Sequence, residues 1–112
     1  MATKIKIKFS EDEYNAISDA IEHIANTCIV HDLYTLNLKE RLEVMSTRLL
    51  SKKFKHQRSY QFSFSIVDTI ELITRFATVG AYEKAICELI FEKQINPQFQ
   101  SAVQMRMNFN NN

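Results

Sequence analysis

The sequence predicts an α+β fold with three short strands and two pairs of helices, in the order β-α-α-β-α-α-β. Two observations support this class. Three segments, at 4–9, 59–65 and 102–109, alternate apolar with polar residues, as strands with one buried face do. Between them, apolar residues recur every three or four positions, as in helices that bury one side. We therefore expect a small three-stranded antiparallel sheet with four helices packed on one face.

The first strand and helix are marked by both pattern and capping. In segment 4–9 the apolar residues fall on one side and the three lysines on the other: Lys4, Lys6 and Lys8. Ser10, followed three residues later by Glu13, predicts a capping box that starts helix 1. An apolar stripe from Tyr14 to Cys28 then predicts a helix that ends near Val30.

The middle of the chain predicts a helix and the central strand. Asn37 with Glu40 predicts a second capping box, so residues 31–36 are expected to form the connection before helix 2. The second strand has no charged residue between Ser59 and Ile66, which favours a central position in the sheet. The lysines of the first strand favour an edge instead, since they discourage pairing with another chain.

The pattern leaves two alternatives open in the last third of the chain. Gly80 is expected to separate helix 3 from helix 4, although one long helix through Gly80 is the alternative. Asn96-Pro97 predicts the end of helix 4, because the residue before a proline avoids helical geometry. Residues 102–109 fit either a short helix or a strand, and their strict alternation favours the strand.

Length and composition predict one domain over 1–109 with a disordered tail at 110–112. The net charge is only +1, so any electrostatic function must come from how charges are distributed. No apolar run approaches the roughly 20 residues of a membrane span, and no segment resembles a signal peptide. Cys28 and Cys87 are too few for a disulfide framework, although a bridge between them is open. We expect a cytoplasmic protein with no membrane contact.

The sequence argues against several kinds of catalytic chemistry. One glycine in 112 residues cannot build a phosphate-cradling loop, and no serine has the flanking glycines of a nucleophile elbow. Cys28, His31 and Asp32 are the only local set of metal-ligand types, and they lack a second pair. We therefore expect no enzyme, no metal and no cofactor.

The function class that the sequence favours is a protein-interaction or structural module that forms a homodimer or binds another protein. Apolar residues that the helical pattern places outside the core would form its surface. These candidate interface residues are Leu33, Tyr34, Leu36, Leu72 and Phe91.

The alternative is a nucleic-acid-binding protein that contacts phosphates. The open face of the expected sheet carries cations and no carboxylate, and a basic run over residues 48–58 adjoins it. No aromatic residue falls on that face, so any binding would have little sequence preference. The candidate nucleic-acid or anion contacts are Lys4, Lys6, Lys8, Lys52, Lys53, Lys55, Arg58 and Arg106.

Overall fold

The computed structural model describes residues 3–55 and 57–110, and for residues 108–110 it describes the backbone only. Over these ranges the chain is α+β, as predicted, but its sheet has two antiparallel strands and not three. The elements are β1 (Lys4–Ser10), α1 (Glu11–Thr27), α2 (Leu33–Leu50), β2 (Ser59–Ser65), α3 (Ile66–Ala77), α4 (Ala81–Ile90), a π-helical segment (Phe91–Ile95) and α5 (Asn96–Asn110).

The predicted third strand is wrong, because residues 102–109 belong to α5. Methionine, glutamine and arginine, which dominate this stretch, are good helix formers. A third strand would also have needed a free edge on the sheet. The edge of β1 is instead occupied by the side chains of Gln94 and Gln98. Asn110 ends α5, and the rest of the expected disordered tail, 111–112, lies outside the described residues.

The predicted end of helix 4 at Asn96-Pro97 is also wrong. Helical structure continues from Ala81 to Asn110 through the π-helical segment. At its end the Asn96 N–H donates to Phe91 O, five residues back, as in a π-turn. Pro97 follows in the first turn of α5, where the missing N–H of a proline is tolerated. The wider π-turn thus allows the helix to continue beyond Pro97, although a proline normally ends a helix.

The two strands pair in register from Lys4 opposite Ser65 to Ser10 opposite Ser59. Their apolar residues, Ile5, Ile7, Phe9, Tyr60, Phe62 and Phe64, are all buried beneath helices. With only two strands, β2 is not central, and each strand has one edge that no other strand pairs with. The predicted alternation of buried and exposed residues along β1 is confirmed.

Helix starts follow the local capping chemistry. Ser10 and Glu13 form the predicted capping box, with Glu13 N–H donating to Ser10 Oγ at 3.2 Å and Ser10 N–H donating to Glu13 Oε1 at 2.8 Å. The predicted start of helix 2 at Asn37 is wrong, because Asp32 caps α2 and Thr35 replaces the usual glutamate in its box. The predicted break at Gly80 is confirmed, since α3 ends at Ala77 and α4 begins at Ala81.

The core is rich in aromatic rings that stack between α1 and the sheet. The rings of Tyr14 and Tyr60 stack with centroids 4.0 Å apart, and the Tyr14 hydroxyl donates to Leu49 O at the end of α2. Burial raises the pKa of Tyr14, as expected for a phenol kept neutral inside a core. This packing fixes α1 and α2 over the apolar side of the sheet and leaves its other side facing solvent.

Candidate functional site: a basic sheet face and an apolar groove

The basic sheet face consists of Lys4, Lys6 and Lys8 together with the polar residues paired to them on β2. All three lysines are exposed, and opposite them stand Ser65, Ser63 and Gln61. Each lysine therefore has a serine or glutamine as its cross-strand neighbour, with their Cβ atoms roughly 5 Å apart. The prediction that these lysines point away from the core is correct.

The edge of β1 is closed by two glutamine side chains from the long C-terminal helix. Lys8 N–H donates to Gln94 Oε1 at 2.7 Å, and Gln94 Nε2 donates to Lys8 O at 2.9 Å. Gln98 makes the same pair of bonds with Lys6, at 2.9 and 2.7 Å. Each carboxamide thus satisfies one backbone N–H and one backbone C=O, as a neighbouring strand would.

The edge of β2 is closed by two cations, one from the last turn of α2 and one from the turn that follows it. Arg48 donates to Ser63 O at 2.6 Å, and its guanidinium lies 4.5 Å from the centroid of the Phe64 ring. Lys52 donates to Gln61 O, and its ammonium lies 4.5 Å from the centroid of Phe62. Lys52 is one of the predicted anion contacts, but its ammonium group binds a strand carbonyl and a phenylalanine ring of the sheet itself.

The other predicted anion contacts are divided between two places. Lys53, Lys55 and Arg58 lie exposed in the segment between α2 and β2. His56 of the same basic run lies outside the described residues. Arg106 is on α5 and not on the sheet, because the predicted third strand does not exist. The structure therefore leaves a basic sheet face of three lysines flanked by a short basic segment.

Most of the predicted interface residues are exposed, but Leu72 is not. Leu33 and Tyr34 are 84% and 70% exposed, while Leu36 and Phe91 are exposed to a smaller extent. Leu72 is fully buried, so its place in the interface prediction is wrong.

The reason for that error lies in Thr69, which is buried although it is polar. Its hydroxyl donates to Ser65 O one turn back, so burial costs no hydrogen bond. The buried face of α3 is therefore Thr69, Leu72 and Phe76, and the apolar residues Val67 and Ile70 are left 56% and 52% exposed. The apolar residues of α3 cover more of the helix circumference than one buried face can hold, and this was the sign in the sequence of an exposed apolar surface.

The exposed side of α3 forms one wall of a groove, which we call the α3/α4 groove. The opposite wall is the helix from α4 through the π-helical segment into α5. Its apolar lining residues are Ile70, Ile73, Ala77, Cys87, Phe91, Ile95 and Phe99. Lys84 and Glu88 also line it, and the wider part has a volume of about 590 Å³. Of these residues, sequence analysis named only Phe91 as surface.

The chemistry of the groove is mainly that of apolar contact. Burial, assisted by the carboxylates of Glu83 and Glu88, raises the pKa of the Cys87 thiol to about 11. Its Sγ lies 3.5 Å from Ile73 O, to which it donates. Cys28 and Cys87 are both free, so the bridge left open by the sequence is not formed.

Neither a metal-binding cluster nor a membrane-spanning helix is found in the described part of the chain. No set of three or more Cys, His, Asp and Glu side chains comes together there in an arrangement fit for a metal ion. No helix in residues 3–55 or 57–110 combines the length and apolar character needed to cross a membrane.

Comparison with known proteins gave no relative: the chain matches no protein-family model, no curated protein and no solved structure.

Proposed function

We propose that this protein is a small non-enzymatic interaction module that works as a homodimer, with the α3/α4 groove as its contact surface. The observation that carries the proposal is the groove itself. Ile70 and Phe91 are about half exposed there, at 52% and 44%, beside the partly buried Ile73 and Phe99. Contiguous apolar surface of this kind on a small domain usually marks a binding interface.

The groove is also suited to another protein surface. Its walls are two helices, and a row of apolar side chains between two helices receives the apolar face of a third. Lys84 and Glu88 lie at its wider part, where charged residues could fix the orientation of a partner without occupying the apolar floor.

Size-exclusion chromatography with light scattering, run from low to high micromolar concentration, tests the proposal. The wild-type chain should have the mass of a dimer. Ile70→Asp and Phe91→Asp each place a charge in the α3/α4 groove and should give monomers. Val44→Asp is the matched control, because Val44 is 61% exposed on α2 and does not line the groove. A wild-type monomer at every concentration would refute the proposal.

Leu33 and Tyr34 provide a second, discriminating variant. They form a separate exposed apolar patch at the start of α2. If Leu33→Asp/Tyr34→Asp dissociates the dimer and the groove variants do not, self-association stands but its surface is at the start of α2 and not in the groove.

The basic sheet face favours a second candidate function, phosphate contact with a nucleic acid. The specific support is three exposed lysines on one strand, with serine and glutamine as neutral neighbours that can donate to phosphate oxygens. Because the contacts would be ionic, affinity should fall steeply with salt.

Fluorescence anisotropy with a labelled oligonucleotide tests this candidate. Lys6→Glu/Lys8→Glu should abolish binding. Lys84→Glu/Lys93→Glu changes the net charge by the same amount on the last helix and should weaken binding much less. Equal losses for the two variants would mean that net charge, and not the sheet face, controls binding.

A further inference from the structure

The end of α5 projects beyond the body of the protein as a helical arm, residues 103–110. Gln94 binds Lys8 and Gln98 binds Lys6, so this helix runs antiparallel to β1. One helical step of four residues, about 6 Å, matches two strand residues, about 6.6 Å. The next step brings residue 102 level with Lys4, where the strand begins. The remaining residues of α5 therefore extend past the sheet by roughly 12 Å.

Exposure and overall dimensions agree with such an arm. Every described side chain from Val103 to Met107 is exposed, including Met105 at 73% and Met107 at 54%. The radius of gyration is 15.1 Å, larger than the about 13 Å expected for a compact chain of this length. Because short helices are only marginally stable in water, an arm of this kind gains most of its stability from tertiary packing.

The apolar floor of the α3/α4 groove continues onto the arm as a stripe of apolar residues that winds gradually around the helix. Along the last helix, every fourth residue is apolar across the π-helical segment and into the arm. The stripe residues are Cys87, Phe91, Ile95, Phe99, Val103 and Met107. The first four line the groove, and the last two are exposed on the arm. One stripe thus has a half flanked by α3 and a half that is exposed on the arm.

Charge is distributed along the same helix in a complementary way. α5 contains no acidic residue, and Arg106 is the cation of the arm. The groove half carries Glu88 and Lys84 among its lining residues, and Glu88 is the nearer of the two to Pro97. Two copies of the helix can lie antiparallel, related by a two-fold axis beside Pro97. In that arrangement, a residue a given number of positions before Pro97 in one copy lies level with the residue the same number of positions after Pro97 in the other. Arg106 is then level with Glu88, Val103 with Phe91, and Met107 with Cys87.

We propose that the helical arm of one copy occupies the α3/α4 groove of a second copy, and that the second arm does the same in return. The contact is two-fold symmetric, so the Arg106–Glu88 pair and the Val103–Phe91 contact each occur twice. Methionine suits the arm because its flexible, polarizable side chain adapts to an irregular apolar surface. This inference rests on the proposed self-association and names the segment that fills the groove.

A charge exchange in the full-length chain tests the arm directly by sedimentation equilibrium. Arg106→Glu and Glu88→Arg should each raise the dimer dissociation constant by about tenfold, since each places like charges together. The double variant Arg106→Glu/Glu88→Arg restores opposite charges and should recover most of the wild-type affinity. Recovery is a result that independent damage to folding would not give.

Two further variants separate the stripe from the rest of the arm. Val103→Glu/Met107→Glu should dissociate the dimer. Met105→Glu changes an exposed residue that is not on the stripe and should leave the dissociation constant within a few-fold of wild type. If wild type is a dimer and neither the stripe variant nor the charge exchange alters it, the arm does not fill the groove, although self-association stands. If wild type is a monomer throughout, the proposed function itself fails.

Discussion

The side-chain amide of Gln98 and the backbone of Lys6 exchange two hydrogen bonds, at 2.9 and 2.7 Å, as two residues of neighbouring strands would. Gln94 repeats this arrangement at Lys8, and Gln98 Nε2 also donates to Gln94 O at 2.7 Å. The free edge of a strand is a template for pairing with another chain. Two glutamines four residues apart on a helix close this edge because their spacing matches two residues of strand.

The first prediction concerns this closed edge. Gln94→Ala/Gln98→Ala removes four hydrogen bonds to β1 and should lower the free energy of unfolding by about 1–3 kcal/mol, since water replaces part of what is lost. Amide hydrogen exchange at Lys6 and Lys8 should accelerate. Chemical denaturation and exchange mass spectrometry measure the two effects.

Two variants serve as controls for the glutamine edge. Gln100→Ala lies on the same helix at an exposed position and should change neither quantity. Gln98→Glu keeps an acceptor for Lys6 N–H but loses the donor to Lys6 O, so it should fall between wild type and the alanine variant. Unchanged exchange at Lys6 and Lys8 in the double alanine variant would show that the amides do not protect this edge.

The sequence predicts the first half of this fold better than the second, and residues 103–107 show why. Apolar residues recur every two positions in a half-buried strand and every four positions along the stripe of the last helix. Val103 and Met107 are four residues apart, so they fit both patterns. Met105 fits only the strand pattern, and the structure places it in α5. Alternation along β1 has no such ambiguity, because Lys4, Lys6 and Lys8 cannot all face a core.

What closes the edges of the sheet could not be predicted from pattern. Gln94 and Gln98 are polar residues on a helix, and Arg48 and Lys52 look like solvated cations at a helix end. Gln94 and Gln98 bind backbone groups of β1, which are 86 and 92 residues away in the chain. Arg48 and Lys52 bind backbone carbonyls of the strand that follows them. The groove was missed for a related reason, since the inward face of α3 is shifted toward the buried Thr69 and Ile70 is left exposed.

The second prediction concerns Arg48 and Lys52, the two cations that close the edge of β2. Arg48→Met and Lys52→Met keep a flexible apolar stem but lose the hydrogen bond to a strand carbonyl and the contact with a phenylalanine ring. Each should lower the free energy of unfolding by about 1 kcal/mol in chemical denaturation. Lys53→Met is the matched control for an exposed lysine of the same segment, and a loss there as large as that of Lys52→Met would contradict the prediction.

The third prediction concerns the cap of α2 and its pH dependence. Hydrogen bonds from the backbone N–H and hydroxyl of Thr35 lower the pKa of Asp32 below its ordinary value of 3.8. A carboxyl with a lowered pKa stabilises the folded state above that ordinary value, and the contribution is lost as the pH falls through the lowered pKa. Asp32→Ala should therefore lower the melting temperature at neutral pH, with a difference that shrinks in acid.

Asp32→Asn is the control for this titration, because asparagine caps a helix without an ionisable group. Its melting temperature at neutral pH should stay close to that of wild type. Circular dichroism melts from neutral to strongly acidic buffer measure both variants. A wild-type advantage over Asp32→Ala that persists undiminished in strong acid would mean that the charge of Asp32 plays no part.

The fourth prediction concerns the thiol in the α3/α4 groove. Burial and two nearby carboxylates raise the pKa of Cys87 to about 11, so the reactive thiolate is scarce near neutral pH. In the Cys28→Ser variant, alkylation of Cys87 by iodoacetamide should be slow at pH 7 and should accelerate as the pH rises toward that value. Mass spectrometry measures the rate. Cys87→Ser leaves Cys28, which is only half-buried, and should be alkylated faster in neutral buffer. Equal rates for the two variants at neutral pH would contradict the prediction, because the groove would then neither bury nor deactivate its thiol.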